Sequence, residues 1–122
     1  MFPAGIKVLA LAAAARITAT GNGSAVDVRP YKGHALLVLN SSATEASDNT
    51  LNVKVQHSAD GSTGWTDTGV AFAQVGNAAA SAQVVEVNVD RFKRYIRVVS
   101  TLAGTTPAAT RSVELIAQAD RS

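Results

Sequence analysis

Between residues 51 and 57 the chain alternates without a break. Leu51, Val53 and Val55 fall on one side, Asn52, Lys54 and Gln56 on the other. A period of two marks a strand half buried in a sheet, because successive side chains leave a strand on opposite faces. Residues 83–90 repeat it, with Val85, Val87 and Val89 on the apolar side and Glu86, Asn88 and Asp90 on the polar side. YIRVVSTL and SVELIAQ continue the theme, and Val26 and Val28 mark a shorter candidate. HALLVLN (residues 34–40) differs: its apolar run is unbroken, which predicts a strand covered on both faces.

Turn signals separate these runs: GNGS at 21–24, YKG at 31–33, SSATEASDN at 41–49, ADGSTG at 59–64, GNAAAS at 76–81 and AGTTPAAT at 103–110. Short strands at this spacing predict an all-β chain, an antiparallel β-sandwich or barrel. Two segments read both ways. VLALAAAARI (residues 8–17) has the alanine content of a short helix but serves equally as an extended arm. DRFKRYI (residues 90–96) has room for one helical turn. The expected organisation is an N-terminal arm over residues 1–15, extended or partly helical, and a single β-sandwich domain over 16–122. No linker, internal repeat or charge block divides the chain.

Composition narrows this further. At 122 residues the chain is one ordinary domain. Hydrophobic residues make up 47%, much of it alanine, and aromatics only 5%, so Val, Leu and Ile must build the core around alanine spacers. The absence of cysteine excludes disulfides, thiolate metal sites and thiol nucleophiles. Eleven Lys and Arg against nine Asp and Glu give a net charge of +2, too balanced to hold nucleic acid by bulk electrostatics. Charged residues are 16% of the chain, below the roughly 25% of an average soluble domain, which implies a surface partly covered by something else. The apolar run 8–15 is far short of the roughly 20 residues of a membrane span, and Arg16 closes it. Cytoplasmic synthesis without a membrane partner is expected.

The densest stretch is HSADGSTGWTDTG (residues 57–69), with His57, Trp65, Asp60 and Asp67. Asp60-Gly61 is tight-turn chemistry, so the stretch reads as a hairpin with Trp65 folded over the edge of the core. Its acids lack calcium-loop spacing, and a zinc site would need more than His57 and His34. His57, Ser58 and Asp60 are sequence neighbours with no nucleophile elbow. Asp27, Glu86, Asp90 and Glu114 are scattered over different strands, and Gly21-Asn22-Gly23 lacks the residues of a phosphate cradle. No enzyme, cofactor or metal site is expected. DRFKRYIR (residues 90–97) gathers Arg91, Lys93, Arg94 and Arg97 around Phe92 and Tyr95. It reads either as a basic contact patch for an acidic surface or as the start of a strand with solvated charges. In an alternating strand Tyr95, Arg97 and Val99 share a face, so the charges do not all align.

Three segments together resemble a family of small structural proteins of tailed bacteriophages, most like capsid decoration (cement) proteins. They are ARITATGNGSAVDVRPYKGHALLVLNSSA, TLNVKVQHSADGSTGWTDTGVAFAQV and VEVNVDRFKRYIRVVSTLAGTTPAATRSVELIAQ, from about Arg16 onward. The resemblance implies a jelly-roll-like β-sandwich and a virion protein on the capsid exterior. Its partners would be the major capsid protein and itself, as a homo-oligomer, dimer or trimer, without nucleic acid. The family carries no motif that assigns contacts; Phe2, Pro3, Arg91, Lys93 and Arg94 are the contact residues expected from charge and position. Two other roles stand beside it: a tail or head–tail connector protein, and a carbohydrate-binding sandwich using Trp65, Tyr31 or Tyr95.

Overall fold

A computed structural model of the chain describes residues 6–119; Phe2 and Pro3 lie outside the described residues. Nine strands follow in order: β1 (Ile6–Ile17), β2 (Gly21–Asn22), β3 (Val26–Asp27), β4 (Tyr31–Ser41), β5 (Thr50–Ser58), β6 (Thr66–Ala71), β7 (Ser81–Asn88), β8 (Tyr95–Ala103) and β9 (Ala109–Ala119). Among the described residues a single 3₁₀ turn, Val89–Arg91, interrupts them. One sheet has the order β1-β9-β4-β7, the other β2-β8-β5-β6, with β3 also pairing with β8. All pairings are antiparallel. Consecutive strands keep crossing between the two sheets, which is the jelly-roll winding of an antiparallel sandwich.

The alternation read from the sequence decides which faces meet. Leu51, Val53 and Val55 of β5 pair with Leu102, Ser100 and Val98 of β8. In the other sheet Leu37 lies between Leu115 and Val85, and Leu39 beside Val113. These aliphatic side chains form one buried cluster with Leu11, Phe72, Val87, Val89 and Ile96. Phe72 is the only aromatic residue buried among the described residues, in keeping with the low aromatic content.

The alanine-rich segment is a strand. An isolated helix of about a dozen residues is marginal in water, whereas β1 bonds along β9 and buries Leu11 and Ala12. Register shifts between Ala10 and Ala12 and between Ala12 and Ala15 put these two neighbours on the core side. The next turn of chain closes the sandwich beside β1. A Cβ at Gly23 would come within 2.8 Å of the Leu11 carbonyl oxygen, so only glycine allows that approach.

The expectation that residues 34–40 are covered on both faces is corrected. Ala35, Leu37 and Leu39 are buried, but Leu36 is 39% exposed and Val38 only half buried. Strand β4 has a sheet on one side and, among the described residues, nothing on the other. Across this outer face run the rows Val8–Ile116–Leu36 and Val38–Val84. Val8 is 65% and Val84 62% exposed, so the face carries open apolar positions, interrupted by Glu86 beside Leu36 and Glu114 beside Val38.

At one end of the sandwich the connections are fastened by polar groups. Buried Asn49 donates to the Thr105 carbonyl and accepts from the Ala108 N–H, while Thr44 donates to the Asn49 carbonyl. The Arg16 guanidinium pairs with Glu45 at 2.7 Å.

Candidate functional site

The opposite end carries three connections: residues 28–30, 59–65 and 89–94. Pairing of β8 with β3 and β5 sets Tyr95 beside both Asp27 and Ser58, which brings the three together. The first and third are joined directly, since the Val28 N–H donates to the Arg94 carbonyl at 2.8 Å.

The hairpin connection is built by Asp60 and Ser58. The Asp60 carboxylate accepts from the N–H groups of Thr63 and Ser62 at 2.9 and 3.0 Å and from the Thr63 hydroxyl at 2.7 Å. The buried Ser58 hydroxyl donates to the same carboxylate. These donors, the Thr63 backbone N–H first, hold the Asp60 carboxyl far below the usual carboxylate range. Gly61 has φ 80 and lies on the Tyr95 ring, where a Cβ would stand 3.0 Å from Cγ. The Asp60-Gly61 pair therefore makes a turn, as its chemistry predicts. Trp65 differs from expectation: it is not part of the core cluster. Its ring lies under Arg97, whose guanidinium carbon is 4.4 Å from the ring centroid. Arg97 also donates twice to Gln56 Oε1, at 3.1 and 2.8 Å. A cation on the outward face of β8 offers the ring a partner that the aliphatic core does not.

The 3₁₀ connection starts where Asn88 Oδ1 accepts from the Asp90 N–H. It presents Arg91, Phe92, Lys93 and Arg94 in succession. Phe92 packs against the core cluster and meets His57 edge-on, with centroids 6.3 Å apart. His57 Nδ1 accepts from the Lys93 N–H at 3.1 Å. Burial, and secondarily the Lys93 charge, push the His57 pKa down, favouring the neutral ring that this bond requires.

The expected contact residues Arg91, Lys93 and Arg94 are thus gathered at one end, but they are not equivalent. Arg94 is tied to Asp27 at 3.1 Å and lies over Tyr95. Asp27 is held below its usual range by the Arg29 backbone N–H and then by Arg94. Arg29, Arg91 and Lys93, with Lys7, are the cations whose side chains have no hydrogen bond or ion pair among the described residues. Arg29 joins the group through the pairing of β3 with β8, a relationship across more than sixty residues. Its only sequence signal was the cation-bearing turn RPYK. Between the two connections lies an open cleft of about 290 Å³, bordered by Val28, Tyr31, Val89 and Phe92. On the other side of Phe92 a second hollow of about 360 Å³ reaches His34, Glu86 and Arg91.

His34 and His57 sit on different sheets. Among the described residues no three His, Asp or Glu side chains converge in a way that would hold a metal ion.

No family model matches the sequence, and comparison with curated proteins finds no match. Comparison of folds does. The chain is similar to one in the structure of infectious bursal disease virus, Gx strain, with a TM-score of 0.56 and 7% identity over 93% of this chain and 32% of that one. The Gt strain of the same virus gives a TM-score of 0.52 and 8% identity over 93% and 33%. The chain spans about a third of the length of these solved chains. At this identity the likeness is one of fold.

Proposed function

We propose that the protein is a non-enzymatic structural component of a virus particle, and specifically a bacteriophage capsid decoration protein. In this reading it binds the outer capsid surface through the major capsid protein and stabilises the contacts between subunits. The observation that carries the proposal is the jelly-roll sandwich, whose fold is similar to a chain of a solved virus structure. Jelly rolls recur in capsid domains, although the same fold also serves lectins and cupins. The resemblance to phage structural proteins and the low charged fraction support the same role.

Self-association is part of the proposal, and the outer face of the first sheet supports it. Four strands about 4.8 Å apart and about eight residues of 3.3 Å each make a footprint of about 500 Å². Two copies face to face would cover about 1,000 Å² together, the threshold of a specific interface. A tail component is less well supported. Its natural assembly arm, residues 42–49, is fastened through Thr44, Asp48 and Asn49. A sugar site on Trp65 is also disfavoured, since Arg97 already occupies one ring face.

The test is addition of the purified protein to phage shells prepared without it. Saturable co-sedimentation and a higher disruption temperature of the shells are expected. Shells that neither bind the protein nor gain heat resistance would overturn the decoration role.

A further inference from the structure

We propose that the end carrying Arg29, Arg91 and Lys93 is a docking site for an acidic, extended segment of a partner protein. The partner's carboxylates would meet these cations, and one of its apolar side chains would enter the cleft between Tyr31 and Phe92. The inference deepens the decoration reading by giving the partner's chemistry, but the site itself is argued from geometry.

Most cations of the described chain are engaged. Arg16 pairs with Glu45, Lys54 with Asp67 and Arg94 with Asp27, while Arg97 bonds Gln56 and Arg111 bonds Ser100 and the Ala13 carbonyl. Arg29, Arg91 and Lys93 are the exceptions that cluster: Arg29 and Lys93 border one cleft, and Arg91 borders the hollow on the other side of Phe92. The nearby acids do not neutralise them equally. Asp27 is taken up by Arg94 and the Arg29 N–H and Asp60 by its own hairpin, while Asp90 borders the cleft with Arg29 and Lys93, and Glu86 the hollow with Arg91. The cations are also positioned. Phe92 is anchored in the core cluster and the Lys93 backbone is held by His57, so the side chains on either side of Phe92 are directed outward from a fixed turn. Arginine suits such a role because its planar fork receives a carboxylate through two hydrogen bonds.

A protein segment fits better than nucleic acid. A phosphate backbone calls for a line of cations, whereas Arg29 and Lys93 flank an apolar floor of Val28, Tyr31, Val89 and Phe92 with Asp90 beside them, and Arg91 stands on the far side of Phe92. A floor of that kind takes an aliphatic or aromatic side chain, and the surrounding charges select an acidic neighbourhood.

The experiment titrates the full-length protein, observed through its backbone amide NMR signals, with a fluorescein-labelled peptide of glutamates flanking a central Leu-Phe pair. A peptide with glutamine for every glutamate and a single-stranded oligodeoxynucleotide of equal length are the comparisons. Saturable shifts are expected at Arg29, Arg91, Phe92 and Lys93, weakening with salt and at least about tenfold weaker for the glutamine peptide. The combined variant R29A/R91A/K93A should keep its melting temperature and lose binding to a similar degree. Shifts centred elsewhere, no shifts, or equal binding by the glutamine peptide or the variant would overturn the site. Tighter binding by the oligonucleotide would replace it with a nucleic-acid role. Peptide binding without shell binding would leave this site standing and remove the decoration reading; shell binding undiminished in the variant would do the reverse.

Discussion

The ring of His57 on β5 accepts a hydrogen bond from the backbone N–H of Lys93, 36 residues further along and on the turn that leads into β8. The bond ends at Nδ1, so it exists only while that nitrogen carries no proton. Protonation would remove the acceptor and place a second positive charge beside Lys93.

Stability should therefore depend on pH through this residue. The His57 pKa is lower in the folded chain than its ordinary value of 6.5, so near and below that pH the unfolded chain binds more protons. Stability then rises with pH through this window and falls on acidification from about pH 7 toward the lower folded value. His57→Asn keeps an acceptor near the Nδ1 position but does not titrate. Urea denaturation at a series of pH values should show a shallower slope between pH 5 and 7 for this variant. An unchanged slope would mean that another group carries the dependence.

Leu36 and Leu37 test which face of β4 is covered. Leu37 is fully buried and Leu36 is 39% exposed, although the sequence presents them as equals. Leu37→Ala should cost about 2–5 kcal/mol through lost burial and a cavity, and Leu36→Ala well under half of that. Chemical denaturation of the two variants measures the contrast. Equal losses would show that the outer face is covered in solution, as it would be in a stable oligomer.

The same strand shows where sequence reasoning stops. Strict alternation in β5 and β7 was enough to place Val53, Val55 and Val87 inside, because a period of two leaves a half-buried strand little choice. An unbroken run such as HALLVLN reports only that both faces are apolar, not what covers each. The alanine-rich β1 was ambiguous because its state depends on pairing with β9, about a hundred residues away. The hairpin was legible from Asp60-Gly61, yet the place of Trp65 was not, since Arg97 reaches it from a different strand. Arg91, Lys93 and Arg94 could be read as a charged cluster from their proximity in the chain. Arg29 could not join them until β3 was seen against β8, and only the structure separates Arg94, already paired, from its neighbours.

The sole tryptophan offers a direct reading of its own contact. With Arg97 over the ring and bonded to Gln56, one ring face is shielded from water. Arg97→Ala should red-shift the fluorescence and lower stability by about 0.5–1 kcal/mol. Arg97→Lys should fall between, because an ammonium keeps the charge but lacks the planar stack. Identical emission from all three proteins would place the ring in solvent already.

Val8 and Val84 address self-association. They lie on opposite edge strands of the first sheet, 65% and 62% exposed, with Ile116, Leu36 and Val38 between them. A monomer gains nothing from either side chain in water, so replacing both by lysine should leave folding stability within about 0.5 kcal/mol. In a face-to-face pair of copies, the same substitutions would replace apolar contact with two ammonium groups that must be desolvated. Sedimentation velocity over rising concentration should then show the native chain associating and V8K/V84K remaining monomeric. Association of the variant at the same concentrations would move the contact to another surface, and a monomeric native chain would count against self-association through this face.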